Sequence, residues 1–111
     1  MNGDDSSSRS MALGSLRDRF SDPSLRSSTR VLILISLALN QKMSFVDLQN
    51  SIGIGKGSLS HHLEKMGSAG YVKVMTKATF RGDRTVVEIT DKGLEAYDSM
   101  LEALSSLKRG R

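Results

Sequence analysis

From Lys56 the chain reads Lys-Gly-Ser-Leu-Ser-His-His-Leu-Glu-Lys-Met. At helical spacing Leu59, Leu63 and Met66 share one side, and Lys56, Ser58, Ser60, His61 and Lys65 point elsewhere. Short hydroxyls, an imidazole and ammonium groups on one exposed surface are donors for phosphate oxygens and base edges. A second basic group follows at Lys77, Arg81 and Arg84, the arginines flanking Gly82-Asp83, a turn pair.

Other chemistries fail on spacing. His61 and His62 are adjacent, about 100° apart on a helix, and cannot chelate one metal as an i, i+4 pair does. His62 is expected to pack at the domain edge. Gly53-Ile54-Gly55-Lys56-Gly57 lacks the Gly-Lys-Ser/Thr ending of a phosphate-binding P-loop. Ser60, His61 and Asp47 show no triad arrangement. No enzyme, metal or cofactor is expected.

These residues need elements to hold them. Residues 1–10 are polar after Met1 and read as a disordered tail. Leu13, Leu16 and Phe20 mark a short helix over 11–21. Asp22-Pro23 signals a helix start, with Asp as cap and Pro at the first position, and the apolar run to Asn40 predicts a helix buried nearly all round. Asn40 to Lys42 is expected to turn. Ser44 then starts a helix to Ile52, with Asp47 three residues on. Gly53-Ile54-Gly55 breaks the chain before a helix over 56–69, which Gly70 ends. Val72, Val74 and Thr76 alternate with Lys73, Met75 and Lys77 as a half-buried strand. A loop over Thr79–Thr85 leads to the return strand of Val86, Val87 and Ile89. Thr90 caps a last helix running to about Lys108. The fold class is mainly α with a small β-hairpin, the hairpin following a helix-turn-helix: a winged helix-turn-helix over 22–108.

The 111 residues suit one domain. Cysteine is absent, which excludes disulfides and thiolate metal sites. The longest apolar stretch, Val31–Leu39, falls short of the roughly 20 residues of a membrane span, so no membrane partner is expected. No secretory signal is visible, and a cytoplasmic location is expected. The formal charge of +4 is unevenly laid out: residues 51–84 carry six basic and two acidic groups, and residues 85–107 one basic and five acidic. A polyanion partner for the central segment follows.

Leu59-Ser60-His61-His62-Leu63-Glu64-Lys65-Met66 with Ala69-Gly70-Tyr71-Val72 resembles the signature of small prokaryotic winged-helix regulators, the multiple-antibiotic-resistance (MarR) and arsenic-resistance (ArsR) types. Ile89-Thr90-Asp91-Lys92-Gly93 is similar to the start of their helix after the wing, and the likeness extends over about 22–108. It implies transcription regulators that bind double-stranded operator DNA as homodimers, associated with the nucleoid when bound. Lys56, Ser58, Ser60 and His61 would match recognition-helix positions, and Arg81 and Arg84 wing positions. The metal-sensing arsenic type uses a Cys pair or a His/Asp set in its last helix. Here that helix has Asp91, Glu95, Asp98 and Glu102 but no His, so metal sensing is not expected, and no effector pocket is legible. Leu94, Tyr97, Leu101 and Leu104, widened by Met100 and Leu107, form an apolar stripe that one small domain can cover only in part. With Leu13, Leu16 and Phe20 nearby in the family's arrangement, they are the expected dimer interface. The alternative is a winged helix used as a protein-interaction module, which would show an acidic or apolar recognition face.

Overall fold

The computed structural model describes Ser10, Met11, Leu13, Gly14, Arg17, Asp18 and residues 22–107. The six N-terminal residues among these are helical. Most of the expected tail lies outside the described residues, as do Leu16, Phe20, Lys108 and Arg109.

The helix expected from Asp22-Pro23 is two elements. Asp22 does cap: its Oδ1 accepts from the Ser24 backbone N–H at 3.0 Å. But Pro23–Leu25 is a single 3-10 turn, and the α-helix α1 spans Ser28–Asn40. Ser27 between them is extended (φ −82°, ψ 132°), a backbone that serine favours at a helix start. In α1, Ile33, Leu34 and Leu37 are buried, whereas Leu32 and Leu39 are exposed, so α1 is not covered all round as expected.

Gln41 ends α1 with φ +67°, unusual for a non-glycine residue. Its N–H donates to Leu37 O, and its carbonyl accepts from the Ile89 N–H at 3.0 Å. The chain thus passes directly into a strand, β1 (Lys42–Ser44), where the sequence suggested a turn. Three residues are too few for a period; pairing with a distant strand makes them β. The Ser44 hydroxyl then caps α2 (Phe45–Ile52) by accepting from the Asp47 N–H. Gly53, left-handed at φ +78°, closes α2. α3 spans Lys56–Ser68.

β2 (Val72–Thr79) and β3 (Gly82–Ile89) form the hairpin, and the sheet order is β1-β3-β2, all antiparallel. The expected loop over 79–85 contracts: Thr79 pairs with Gly82, leaving Phe80 and Arg81 as the turn. β2 is half-buried only at its base. Val72 is buried, but Val74 is 49% exposed, because the hairpin projects past the core. α4 is Asp91–Ser105, shorter than the sequence suggested.

The core lies between the helices and the sheet. Leu37, Leu48, Leu59, Met66 and Val87 are fully buried in it. Truncating Leu59 to Ala would cost about 2–5 kcal/mol. Gly93 sets how close α4 comes. A Cβ there would collide with the Tyr71 carbonyl and stand 2.6 Å from Ile89 Cγ1. This close approach is why glycine follows Thr90 by three residues.

Candidate nucleic-acid interface

α3 is anchored from below by Leu59, Leu63 and Met66, all buried. Its other faces carry Lys56, Ser58, Ser60, His61, Glu64 and Lys65, all exposed. Gly55 is its N-cap and offers no side-chain acceptor, so the first-turn N–H groups remain open to an anion. The side chains of Lys56, Ser58, Ser60 and Lys65 make no hydrogen bond to a described residue.

The two histidines differ. His61 is exposed. His62 is half-buried at the flank, where its Nδ1 accepts from Arg30 Nε at 3.0 Å. Arg30 Nη1 also donates to the Pro23 carbonyl, so Arg30 of α1 links α3 to the 3-10 turn. Burial, then the charges of Arg30 and His61, hold the His62 pKa below its ordinary value.

The wing stands beside α3. Thr79 fixes its tip: the hydroxyl donates to the Gly82 carbonyl and accepts from the Arg81 N–H. Gly82, at φ +111°, takes the backbone reversal that neither Phe80 nor Arg81 adopts. Phe80 is 95% exposed at the apex, with the Arg81 guanidinium 5.5 Å from its ring centroid. Phe80 is thus as much part of the tip as Arg81; an aromatic in a hairpin turn, where polar residues are usual, is the sequence signal for it.

Between α3 and the wing lies a cleft of about 370 Å³, lined by Phe45, Lys56, Ser60, Leu63, Glu64, Val74 and Thr85. The structure therefore brings Lys56 and Ser60 together across from the wing. Arg84 does not line this cleft. It opposes Lys77, and both border a separate hollow with Lys42 and Asp47. Arg84 also reaches a second groove beside Lys56 and the start of α2.

At the far side, Leu101 and Leu104 of α4 are half exposed, at 47% and 50%, and Leu13 is 57% exposed. Leu94 and Tyr97 pack partly against the chain's own core. Met100, on the same helix, is buried. Among the described residues, no cluster of His, Cys, Asp or Glu is arranged to hold a metal ion, and no helix is long and apolar enough to cross a membrane.

The same architecture recurs in known proteins. An uncharacterized protein of Methanocaldococcus jannaschii is 30% identical over 84 residues, covering 75% of this chain and 90% of its own. A transcriptional regulator homologue from Pyrococcus horikoshii superposes with a TM-score of 0.75 at 30% identity, covering 85% of this chain and 93% of that one. Reduced AbfR bound to DNA shares the fold (TM-score 0.70, 16% identity, 88% of this chain and 69% of that one). The model of the winged helix DNA-binding domain family matches residues 29–107, more than half of the sequence, and the chain belongs to that family.

Proposed function

We propose that this protein is a transcriptional regulator that binds double-stranded DNA sequence-specifically as a homodimer. One observation carries the reading: α3 turns Lys56, Ser58, Ser60, His61 and Lys65 to solvent beside an exposed hairpin tipped by Arg81. An α-helix with short side chains fits the major groove, about 12 Å wide, and the adjacent hairpin reaches the neighbouring minor groove. Ser58, Ser60 and His61 serve as base or phosphate donors. Lys56, Lys65, Lys77, Arg81 and Arg84 neutralise phosphates. Regulator status is supported by the P. horikoshii relative, and DNA as partner by the family and by the AbfR complex. The protein is read as a non-enzyme working in the cytoplasm. The recognition face is polar and basic rather than apolar, which disfavours a protein-interaction module.

Leu101 and Leu104, with Leu13 and the edges of Leu94 and Tyr97, form the dimer surface in this reading. A two-fold axis there sets two α3 helices about one DNA turn apart, ~34 Å, and demands a roughly palindromic site. The test selects bound duplexes from a randomised pool, then titrates the recovered duplex against salt. If about three of the five cations contact phosphate in each subunit, the dimer makes about six contacts and log K falls against log salt with a slope near −5. Leu101→Glu, at a half-exposed position that tolerates charge, should yield a folded monomer in sedimentation velocity with much weaker binding. A slope near zero defeats DNA binding. A wild-type monomer, or a dimer that ignores Leu101→Glu, defeats the interface.

A further inference from the structure

We propose that Gly57 is a specificity-determining position: its missing side chain sets how deep α3 enters the major groove and so brings base edges within reach of Ser58 and Ser60. This rests on the DNA-binding reading above.

The fold itself does not need a glycine at 57. Gly53, Gly70 and Gly82 take positive φ, and Gly93 is required by the nearby Tyr71 carbonyl. Gly57 has neither reason. It lies inside α3, two residues past the Gly55 cap, without a positive φ. A Cβ built there has no described atom within 4 Å, so not even the side chain of His61, one turn on, fills the space. Glycine is the poorest helix former after proline, and alanine at this position would strengthen α3. Gly55 repeats the pattern. Its backbone is extended (φ −73°, ψ 161°), a conformation open to serine or aspartate, its Cβ position is equally open, and it forgoes a side-chain cap. The first turn of α3 thus omits side chains at a cost to the helix.

Gly57 is also where the helix faces furthest outward. Leu59, Leu63 and Met66 are buried on the inner side. At helical spacing the opposite line is Gly57, His61, Glu64 and Ser68, all exposed. Lys56 and Ser60 flank this line on the cleft side, and Ser58 and Lys65 on the other. An α-helix with its side chains is about 10–12 Å across and the major groove about 12 Å wide, so a side chain on the outermost line stands between backbone and base edges. Base contacts come from the N-terminal residues of a recognition helix, which is where Gly57 lies. The donors beside it are serines, whose hydroxyls stay close to the backbone and must come within about 3 Å of an acceptor. Lys56 and Lys65 have long stems that reach phosphates at either depth. Depth therefore governs the reading of sequence and leaves the phosphate contacts in place.

The test uses the full chain, a duplex of about 30 bp recovered by the wild-type protein from a randomised pool, and a scrambled duplex of the same composition. Gly57→Ala should raise Tm by about 2–4 °C. It should weaken binding to the recovered duplex at least about tenfold, while affinity for the scrambled duplex and the salt slope stay near wild type. Gly57→Gln, a longer helix former, should lose more of the preference without lowering Tm. Gly67→Ala is the control. Gly67 is also exposed and helical, a Cβ there makes only an ordinary contact with the Val72 carbonyl at 3.9 Å, and it lies about 15 Å further along α3. This variant should raise Tm and leave both affinities unchanged. Wild-type preference in Gly57→Ala would overturn the proposal. So would a lowered Tm, which would give the glycine a role in the fold. An equal loss on both duplexes would overturn it in favour of a phosphate seated on the first turn, and an equal loss in Gly67→Ala in favour of helix stiffness. If wild type recovers no duplex at all, the DNA-binding reading has failed and the proposal with it.

Discussion

On the front of the domain, Lys56, Ser58, Ser60 and Lys65 spend no side-chain hydrogen bond on a described residue. Behind it, where the end of α3 meets the start of α4, nearly every polar group is engaged. The Tyr71 N–H donates to Met66 O and the Tyr71 carbonyl accepts from the Thr90 N–H, each at 3.0 Å. The Tyr71 hydroxyl donates to Asp22 Oδ2 at 2.6 Å. The Thr90 hydroxyl donates to the Gly70 carbonyl and accepts from the Gly93 N–H. Lys92 Nζ donates to Ala69 O and stands 4.9 Å from the Tyr71 ring centroid. The rear junction spends its polar groups on holding the domain together; the front keeps its donors for a partner. Damage to the two regions should therefore separate into lost stability and lost binding.

Gly93→Ala should show the largest effect. The added methyl meets the Tyr71 carbonyl, a backbone atom already engaged by Thr90, so the strain cannot be relieved by a rotamer change. A loss of about 3 kcal/mol is expected, lowering Tm by more than ~10 °C. At low temperature, where the variant is still folded, DNA affinity should stay near wild type. A near-native Tm would show that α4 is free to slide and that the junction does not set its position.

Arg81→Ala/Arg84→Ala tests the front. Arg84 is exposed and Arg81 lies in the turn, so Tm should shift by no more than a degree or two. Binding should fall roughly tenfold or more, with a shallower salt slope. Unchanged affinity in a gel-shift titration would remove the wing from the interface.

Tyr71→Phe cuts one bond of the junction without a cavity. Hydrogen bonds to a charged group contribute about 1.5–3 kcal/mol, so a loss at the lower end is expected at neutral pH. The Tyr71 hydroxyl, then the Ser24 N–H, hold the Asp22 pKa below its ordinary value; the Ser24 hydroxyl and Lys92 act the same way, against burial. A depressed carboxylate stabilises the fold above its unfolded pKa, about 3.9, and that stabilisation is lost as pH falls toward the folded value. The wild-type advantage over Tyr71→Phe should therefore shrink on acidification through pH ~4. A constant gap in urea melts across that range would sever Asp22 from Tyr71.

Much of this was legible in the sequence. The outward set on α3 follows from period alone, because Leu59, Leu63 and Met66 can face only one way. Gly53 and Thr90 announce their ends of helices chemically. β1 was not legible, since Lys42–Ser44 becomes a strand only by meeting residues more than forty positions away. The early start assigned to α1 failed because Asp22-Pro23 initiates a 3-10 turn as readily as an α-helix. The wing was visible, but not which way its cations point. Lys77 and Arg84 share a face through a register fixed by a two-residue turn, and the sequence suggested a longer loop.

The smallest effect is expected at His62, where the two regions meet. Its Nδ1 accepts from Arg30, so this nitrogen must be unprotonated in the fold. Protonation would set a second cation against the Arg30 guanidinium and remove the acceptor. Burial is the first cause of the lowered pKa, and the Arg30 and His61 charges add to it. The unfolded chain, with an ordinary histidine value of about 6.5, takes up a proton before the folded chain does. Stability should thus decline as pH falls through ~6.5 and level off below the folded value. His62→Gln keeps an acceptor for Arg30 without the titration, and should flatten that decline while leaving stability at pH ~8 little changed. Thermal melts across that range decide it. An equal decline in His62→Gln would assign the pH dependence to another group and leave the Arg30 contact as packing alone.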